Sequence, residues 1–186
     1  AADEAAVDVL LGEEAGVGRI RFGPSVKWAY LPQIIRFAHP ERTLLDTMLY
    51  EKNCSVQVAR DRLGACLFEG EDVYKTVGSL SGGEQSRLRL CMLMDEKINL
   101  LVLDEPFTGL DPLARIRFRR LLQRLRDEGK SIFFSSHELG ETELLCDRVA
   151  IMREGRCLYQ GPVRELTGDG ECNLERLFVK LVDGRW

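Results

Sequence analysis

The chain has 186 residues, and 26 Lys and Arg stand against 30 Asp and Glu, which gives a formal net charge of −4 at pH 7. With 45% hydrophobic and 30% charged residues, its composition is that of a globular domain, and a chain of this length can bury a hydrophobic core. The mildly acidic balance argues against a domain that acts mainly by coating nucleic acid or anionic lipid, and no apolar run approaches the ~18 residues of a membrane-spanning helix.

Strands and helices alternate along the chain. Near the start, the turn residues Gly23-Pro24 separate two segments rich in β-forming residues, Arg19–Phe22 and Val26–Tyr30, and predict a hairpin. The helical spacing of apolar residues predicts six helices, at Thr43–Tyr50, Val56–Phe68, Glu84–Met94, Pro112–Glu128, Glu138–Cys146 and Leu174–Leu181. Short strands are predicted at Leu100–Leu103, Ser131–Phe134, Val149–Met152 and Arg156–Tyr159. The alternation favours an α/β fold.

Residues 100 to 135 have the pattern of a right-handed βαβ unit in a parallel sheet. Leu100–Leu103 is purely aliphatic, as expected of a strand that is covered on both faces. The helix Pro112–Glu128 is amphipathic, and its pattern predicts five inward-facing residues, Leu113, Ile116, Leu121, Leu122 and Leu125. Its arginines are expected to form a solvated face.

Two acidic residues follow the aliphatic strand. Asp104 and Glu105 stand at its carboxyl end, which is the edge where open α/β sheets bind ligands. One carboxylate can hold a divalent metal ion there, and the second can accept the proton of an attacking water. A simple capping pair at the turn before Pro106 is the structural alternative.

A glycine-containing helix start is the second signal. In Leu80–Gln85, Ser81 can cap the following helix, and the two glycines let the backbone approach a bound group closely. The N–H groups and the dipole of a helix N-terminus favour an anion such as phosphate. A plain capping box would have the same residues.

A histidine and a glutamine are the remaining candidate site residues. His137 follows the strand Ser131–Phe134, one βαβ unit after Asp104, so we expect it at the same sheet edge as the acids. Gln33 ends the early strand with an amide that could reach a metal ion or its water.

Together these motifs resemble those of the ATP-binding cassette (ABC) ATPases. Leu80–Gln85 resembles the family signature, Leu100–Glu105 resembles Walker B, and Gly109-Leu110-Asp111 resembles the D-loop. Gln33 and His137 resemble the Q-loop glutamine and the switch histidine. The resemblance implies a P-loop NTPase-like α/β fold, with a largely parallel sheet and an inserted helical subdomain. It also implies ATP and Mg²⁺ as cofactors and hydrolysis of ATP to ADP and phosphate.

The resemblance also implies a role for each matching residue. Asp104 would hold Mg²⁺ through water, and Gln33 would join that shell. Glu105 would polarise the attacking water, while His137 would contact the γ-phosphate. The remaining residues would serve the nucleotide of a second cassette in a head-to-tail dimer: Ser81, Gly82, Gly83 and Gln85 in the signature, and Asp111 in the D-loop.

The phosphate-binding Walker A loop of the family, Gly-x-x-x-x-Gly-Lys-Ser/Thr, is absent from this sequence. Gly129-Lys130-Ser131 does not provide it, because it joins a helix to a strand and Arg124 occupies the position of the first glycine. Ala5–Leu11 resembles the end of the helix that follows such a loop. We therefore expect either an N-terminally truncated cassette or a degenerate subunit, and in both cases an isolated chain that binds ATP poorly and is inactive.

Two branches of the family are represented. Residues 16–106 resemble the ABC-F branch, which acts on the ribosome, whereas residues 107–182 resemble ABC transporter ATP-binding subunits. We predict an ATP-binding subunit that couples ATP binding and hydrolysis to transport. The alternatives are an ABC-F type ribosome-associated translation factor fragment, with the ribosome or RNA as a partner, and a non-catalytic cassette that supplies its signature to a partner.

The predicted organisation is a single partial nucleotide-binding domain over residues 1–186. Its helical signature subdomain covers about 34–95, its core sheet about 19–33 and 96–160, and its C-terminal helix 173–182. The expected partners are a second cassette and a transmembrane transporter subunit, which the helical subdomain contacts in transporters. The expected location is cytoplasmic, peripheral at the inner face of the cell membrane through that membrane partner.

Overall fold

The computed structural model describes residues 22–94, 97–167 and 173–183. These residues belong to two compact units, which divide between Ser135 and Ser136. The helix end predicted at Ala5–Leu11 lies outside the described residues, as does the strand predicted at Arg19–Phe22 except for its last residue. The predicted division into subdomains stays a prediction.

The first unit contains a parallel sheet of three strands among its described residues. They are β1 (Trp28–Leu31), β2 (Leu100–Leu103) and β3 (Ser131–Phe134), and they lie side by side in that order. β2 and β3 have the predicted bounds, and both pair in parallel, as the βαβ pattern requires. The turn predicted at Gly23-Pro24 is also present, closed by a hydrogen bond from the Val26 N–H to the Gly23 carbonyl.

In the described part of this unit, four helices accompany the sheet: α1 (Leu44–Lys52), α2 (Val56–Ala65), α3 (Gly82–Leu93) and α4 (Pro112–Asp127). Short 3₁₀ turns at Gly70–Tyr74 and Val77–Ser79 connect α2 to α3. The helix predicted over Val56–Phe68 ends earlier, because Leu67 adopts a left-handed φ of 67° that stops the helical turn. α3 begins at Gly82, two residues before the predicted start, and it directly follows Ser81, the residue predicted to cap it.

The inward face predicted for α4 was partly wrong. Leu113 and Ile116 are 56% and 37% exposed, whereas Phe118 is fully buried. The buried stripe runs through Phe118, Leu121, Leu122 and Leu125, and one turn earlier it passes through Ala114, so Leu113 and Ile116 lie off that face.

The second unit contains an antiparallel pair of strands and three helices among its described residues. The helix α5 (Leu139–Leu145) precedes the strands β4 (Arg148–Arg153) and β5 (Arg156–Pro162). The helices α6 (Val163–Thr167) and α7 (Leu174–Asp183) follow them. α5 packs against α7, and the Leu174 N–H donates a hydrogen bond of 3.1 Å to the Glu143 carboxylate. No helix in the described part of the chain is both long and apolar enough to cross a membrane.

Candidate functional site

The carboxyl ends of the three parallel strands meet at one edge of the sheet. The register aligns Leu31 with Leu103, and Leu103 with Phe134. The backbone pairing continues one step further: the Asp104 N–H donates to the Leu31 carbonyl at 2.9 Å, and the Ser135 N–H donates to the Leu103 carbonyl at 3.1 Å. The residues that follow β2 and β3 therefore begin in adjacent positions.

The two acidic residues are buried at this edge. Asp104 is 6% exposed and Glu105 is 9% exposed. The Ser135 hydroxyl donates a hydrogen bond of 2.7 Å to Asp104 Oδ1, and it accepts one of 3.1 Å from the Glu105 N–H. The Thr108 hydroxyl donates to Glu105 Oε2 at 3.3 Å. The structure thus brings both predicted acids together with two hydroxyl groups that sequence analysis does not identify as site groups.

The backbone of Glu105 is left-handed, with a φ of 43°. A residue with a Cβ atom is strained by roughly 1–2 kcal/mol in this region. Such strain persists only where the surrounding contacts hold it, and it concentrates at functional sites. The turn that contains Glu105 is closed by a hydrogen bond from the Thr108 N–H to the Glu105 carbonyl.

An aromatic anchor fixes this turn to the core. The Phe107 side chain is fully buried. Its ring meets Phe118 of α4 edge-on at 5.8 Å and Phe134 of β3 at 5.9 Å between ring centres. The acids are therefore placed between a strand end and a packed aromatic ring, which limits their movement.

The donor groups of this edge fit a magnesium ion. Mg²⁺ is usually held through one or two carboxylates, together with waters and substrate phosphates. Asp104 uses Oδ1 for the Ser135 hydroxyl, and no hydrogen bond from the described residues engages its Oδ2. Gln33 is exposed two residues beyond the end of β1, at the same edge of the sheet.

The predicted capping arrangement is present at the start of α3. The Glu84 carboxylate accepts hydrogen bonds of 2.9 Å from both the N–H and the hydroxyl of Ser81, and the Glu84 N–H donates back to the Ser81 hydroxyl at 3.4 Å. Burial raises the pKa of Glu84, but the hydrogen bonds from Ser81 and the nearby Lys75 outweigh it, so that the pKa lies below its usual value. Gln85 donates from Nε2 to the Leu80 carbonyl at 3.2 Å.

The two glycines of this segment have different surroundings. Gly82 is exposed, and a Cβ atom there would meet no atom within 4 Å. Gly83 is buried, and a Cβ atom there would lie 2.8 Å from Cδ2 of Leu110 and 3.2 Å from Cβ of Ala114. Gly82 therefore presents open backbone at the helix start, while Gly83 permits close packing between α3 and the beginning of α4.

Asp111 and His137 occupy two further positions. Asp111 caps α4: its Oδ1 accepts hydrogen bonds from the N–H groups of Leu113 and Ala114 at 2.9 and 3.0 Å. The hydrogen bond from Ala114, followed by the one from Leu113, holds the pKa of this exposed carboxyl below its usual value. His137 is exposed and belongs to the second unit, so its convergence with the acids stays a prediction.

Residues 14–108 match the family model described as ABC transporter, and this match spans half of the chain. The chain belongs to the ABC transporter family. The matched segment includes Gln33, the start of α3 and both acids of the β2 edge, whereas Asp111 and His137 lie beyond it.

Two curated relatives are named as ATP-binding proteins of ABC transporters or of an export system. An uncharacterized ABC transporter ATP-binding protein of Nostoc sp. is 37% identical over 125 residues, which cover 64% of this chain and 37% of the relative. The lipopolysaccharide export system ATP-binding protein LptB of Escherichia coli is 30% identical over 146 residues, which cover 75% of this chain and 61% of LptB. The chain thus spans between about a third and three fifths of these relatives, and neither name favours the ABC-F alternative.

The predicted fold is confirmed by comparison with solved structures. A structure described as an inward-facing conformation of a putative metal-chelate type ABC transporter superposes with a TM-score of 0.72. The alignment covers 88% of this chain and 68% of that chain at 18% identity, so it bears on the fold alone.

Proposed function

We propose that this protein is the ATP-binding subunit of an ABC transporter, which couples ATP binding and hydrolysis to transport. The observation that carries the proposal is the buried pair Asp104 and Glu105, which stands at the ligand-binding edge of a parallel sheet and lies within the matched family segment. The names of the relatives support the same class of protein.

The proposed chemistry is attack of water on the γ-phosphate of ATP. A bound Mg²⁺ would neutralise charge on the phosphates, and catalysis would depend mainly on positioning and electrostatics. Asp104 would contribute its carboxylate to the metal shell and Gln33 its amide oxygen. Glu105 would accept a hydrogen bond from the attacking water and orient it, and His137 would contact the γ-phosphate.

The start of α3 is proposed to face the nucleotide of a second cassette. The first N–H groups of a helix have no partner within the helix, and together with the helix dipole they favour a phosphate group. Exposed Gly82, the first residue of α3, satisfies this requirement most directly. Ser81 would join the contact from the cap position, where its N–H and hydroxyl are bound to the Glu84 carboxylate. Gly83 and Gln85 would support the same contact, and Asp111 would contact the second cassette across the dimer.

A transmembrane subunit is the proposed second partner, bound at the part of the chain around α1 and α3. A cavity of about 350 Å³ lies there, and its charged and titratable lining residues are Arg36, His39, Arg42, Glu51 and Arg89. Three arginines against one glutamate favour an acidic segment of the partner. This contact would place the protein at the cytoplasmic face of the membrane.

The experiment replaces Glu105 by Gln in the full-length protein assembled with its partners. We expect ATP turnover to be nearly abolished while ATP binding is retained, because the amide keeps the shape of the side chain but does not act as a base. Glu128→Gln, at the exposed end of α4, is the matched control and should leave turnover unchanged. Full turnover in Glu105→Gln would remove Glu105 from its proposed role.

A further inference from the structure

We propose that Ser135 is a positioning residue for the acid pair: its one hydroxyl group fixes both the carboxylate of Asp104 and the backbone of Glu105. The effect on ATP turnover rests on the proposed function, whereas the effect on the geometry of the two acids does not.

The hydroxyl group of Ser135 is the donor in one of the two hydrogen bonds and the acceptor in the other. A serine hydroxyl has one proton to donate and lone pairs with which to accept. Ser135 gives its proton to Asp104 Oδ1 at 2.7 Å and accepts the Glu105 N–H at 3.1 Å. Hydrogen bonds to a carboxylate are short and strong, so the first bond fixes the rotation of the Asp104 side chain.

The position of Ser135 is itself set by the sheet. Its N–H pairs with the Leu103 carbonyl as the first residue after β3, directly beside the first residue after β2. The hydroxyl therefore reaches across from one strand end to the next, and the acids are held by a neighbouring strand rather than only by their own turn.

Glu105 needs such support because its backbone is strained. Its φ of 43° lies in the left-handed region, and the bond to Ser135 engages the amide of this same residue. At the other end of the residue, the Thr108 hydroxyl donates to Oε2. Ser135 therefore holds the backbone of Glu105 while Thr108 contacts its carboxylate.

Loss of the Ser135 hydroxyl would release both acids at once. Asp104 Oδ1 would lose its donor, and the direction of the second oxygen, Oδ2, would no longer be fixed. Displacements of about 1 Å in a reacting group lower rates by up to about a hundredfold. We expect Ser135→Ala to lower kcat at least tenfold and to change KM for ATP less than twofold, because the affected groups act on the transition state.

The first test measures hydrogen exchange of the Glu105 amide by NMR in the chain itself. Ser135→Ala should speed exchange about fivefold or more, which corresponds to the loss of one hydrogen bond of about 1 kcal/mol. Ser135→Thr keeps a hydroxyl and should preserve protection. Ser131→Ala removes an exposed serine from the other end of β3 and is the matched control. Unchanged exchange in Ser135→Ala would overturn the proposal.

The second test measures kcat and KM for ATP in the full-length assembled protein. Loss of kcat in Ser135→Ala, with recovery in Ser135→Thr, supports a positioning role when kcat is expressed per site that binds ATP, because unfolded protein is then left out of the comparison. Equal kcat in Ser135→Ala and the parent would overturn that role. A parent without turnover would refute the proposed function, while the exchange measurement would still decide the geometry. If Ser135→Ala does not fold, Ser135→Cys, a weak donor of similar size, replaces it in both tests.

Discussion

The left-handed backbone of Glu105 leads us to predict an unusual order of stability for two variants at this position. Glycine in place of alanine normally destabilises a protein, because glycine loses more conformational freedom on folding. At position 105 the order should invert, since the φ of 43° penalises every residue that carries a Cβ atom. We expect Glu105→Gly to be more stable than Glu105→Ala.

The magnitude follows from two opposing effects. The left-handed conformation costs a residue with a Cβ atom about 1–2 kcal/mol. The greater freedom of glycine in the unfolded chain costs about 0.5–1 kcal/mol in the opposite direction. Glycine should therefore be favoured by about 0.5–1 kcal/mol. Both variants lose the carboxylate and its contact with Thr108, so the comparison between them isolates the backbone.

The assay is urea unfolding of the two variants, beside Arg120→Gly and Arg120→Ala as a reference pair. Arg120 is exposed in the interior of α4, where alanine should be favoured by about 1 kcal/mol. A difference of 1 kcal/mol moves the urea midpoint by roughly 0.3–1 M, because the free energy of unfolding falls by about 1–3 kcal/mol per molar urea. If alanine were favoured by the same amount at both positions, the reasoning about Glu105 would be refuted.

Two further predictions concern the helix starts. Gly83→Ala should have a free energy of unfolding about 1–3 kcal/mol lower than that of Gly82→Ala. The new methyl group at position 83 would lie 2.8 Å from Cδ2 of Leu110, whereas at position 82 it would meet no atom within 4 Å. Equal stability of the two variants in urea unfolding would contradict this prediction. Asp111→Asn should destabilise the chain at pH 7, and the difference from the parent should shrink as the pH falls below about 4. The lowered pKa of Asp111 means that the folded state favours the ionised carboxylate, so the stability that this group contributes is lost when the carboxylate is protonated. Unfolding curves from pH 7 to pH 3 measure this, and a difference that grows in acid would reverse the sign of the argument.

The strands and helix starts were predictable from local sequence. The aliphatic run Leu100–Leu103 and the segment Ser131–Phe134 have the predicted bounds. Ser81 caps α3 as predicted, because a short polar side chain at this position satisfies a free N–H group of the first helical turn. The start of α4 at Pro112 was also predicted, although the cap that Asp111 forms there was not. These strands and helix starts depend on residues that are close together in the chain, so the local sequence pattern was sufficient to predict them.

The site contains features that local patterns do not carry. Ser135 contacts Asp104 and Glu105 only because β2 and β3 pair in a particular register, and no spacing within either strand specifies that contact. The left-handed φ of Glu105 was also hidden, since residues other than glycine rarely adopt it. For α4, the helical period allowed more than one inward face, and the burial of Phe118 between neighbouring elements decided which one forms.

The backbone pairing beyond the strand ends limits how this site can vary. Asp104 and Ser135 are each held by a main-chain hydrogen bond to the adjacent strand. Their positions therefore depend on how many residues separate them from the paired part of the strand, and not on which aliphatic residues form it. One inserted residue between Leu103 and Asp104 would turn the acid to the opposite face of the sheet, because side chains alternate along a strand. The chain should consequently tolerate exchanges among Leu, Ile and Val in β2 far better than any change in its length.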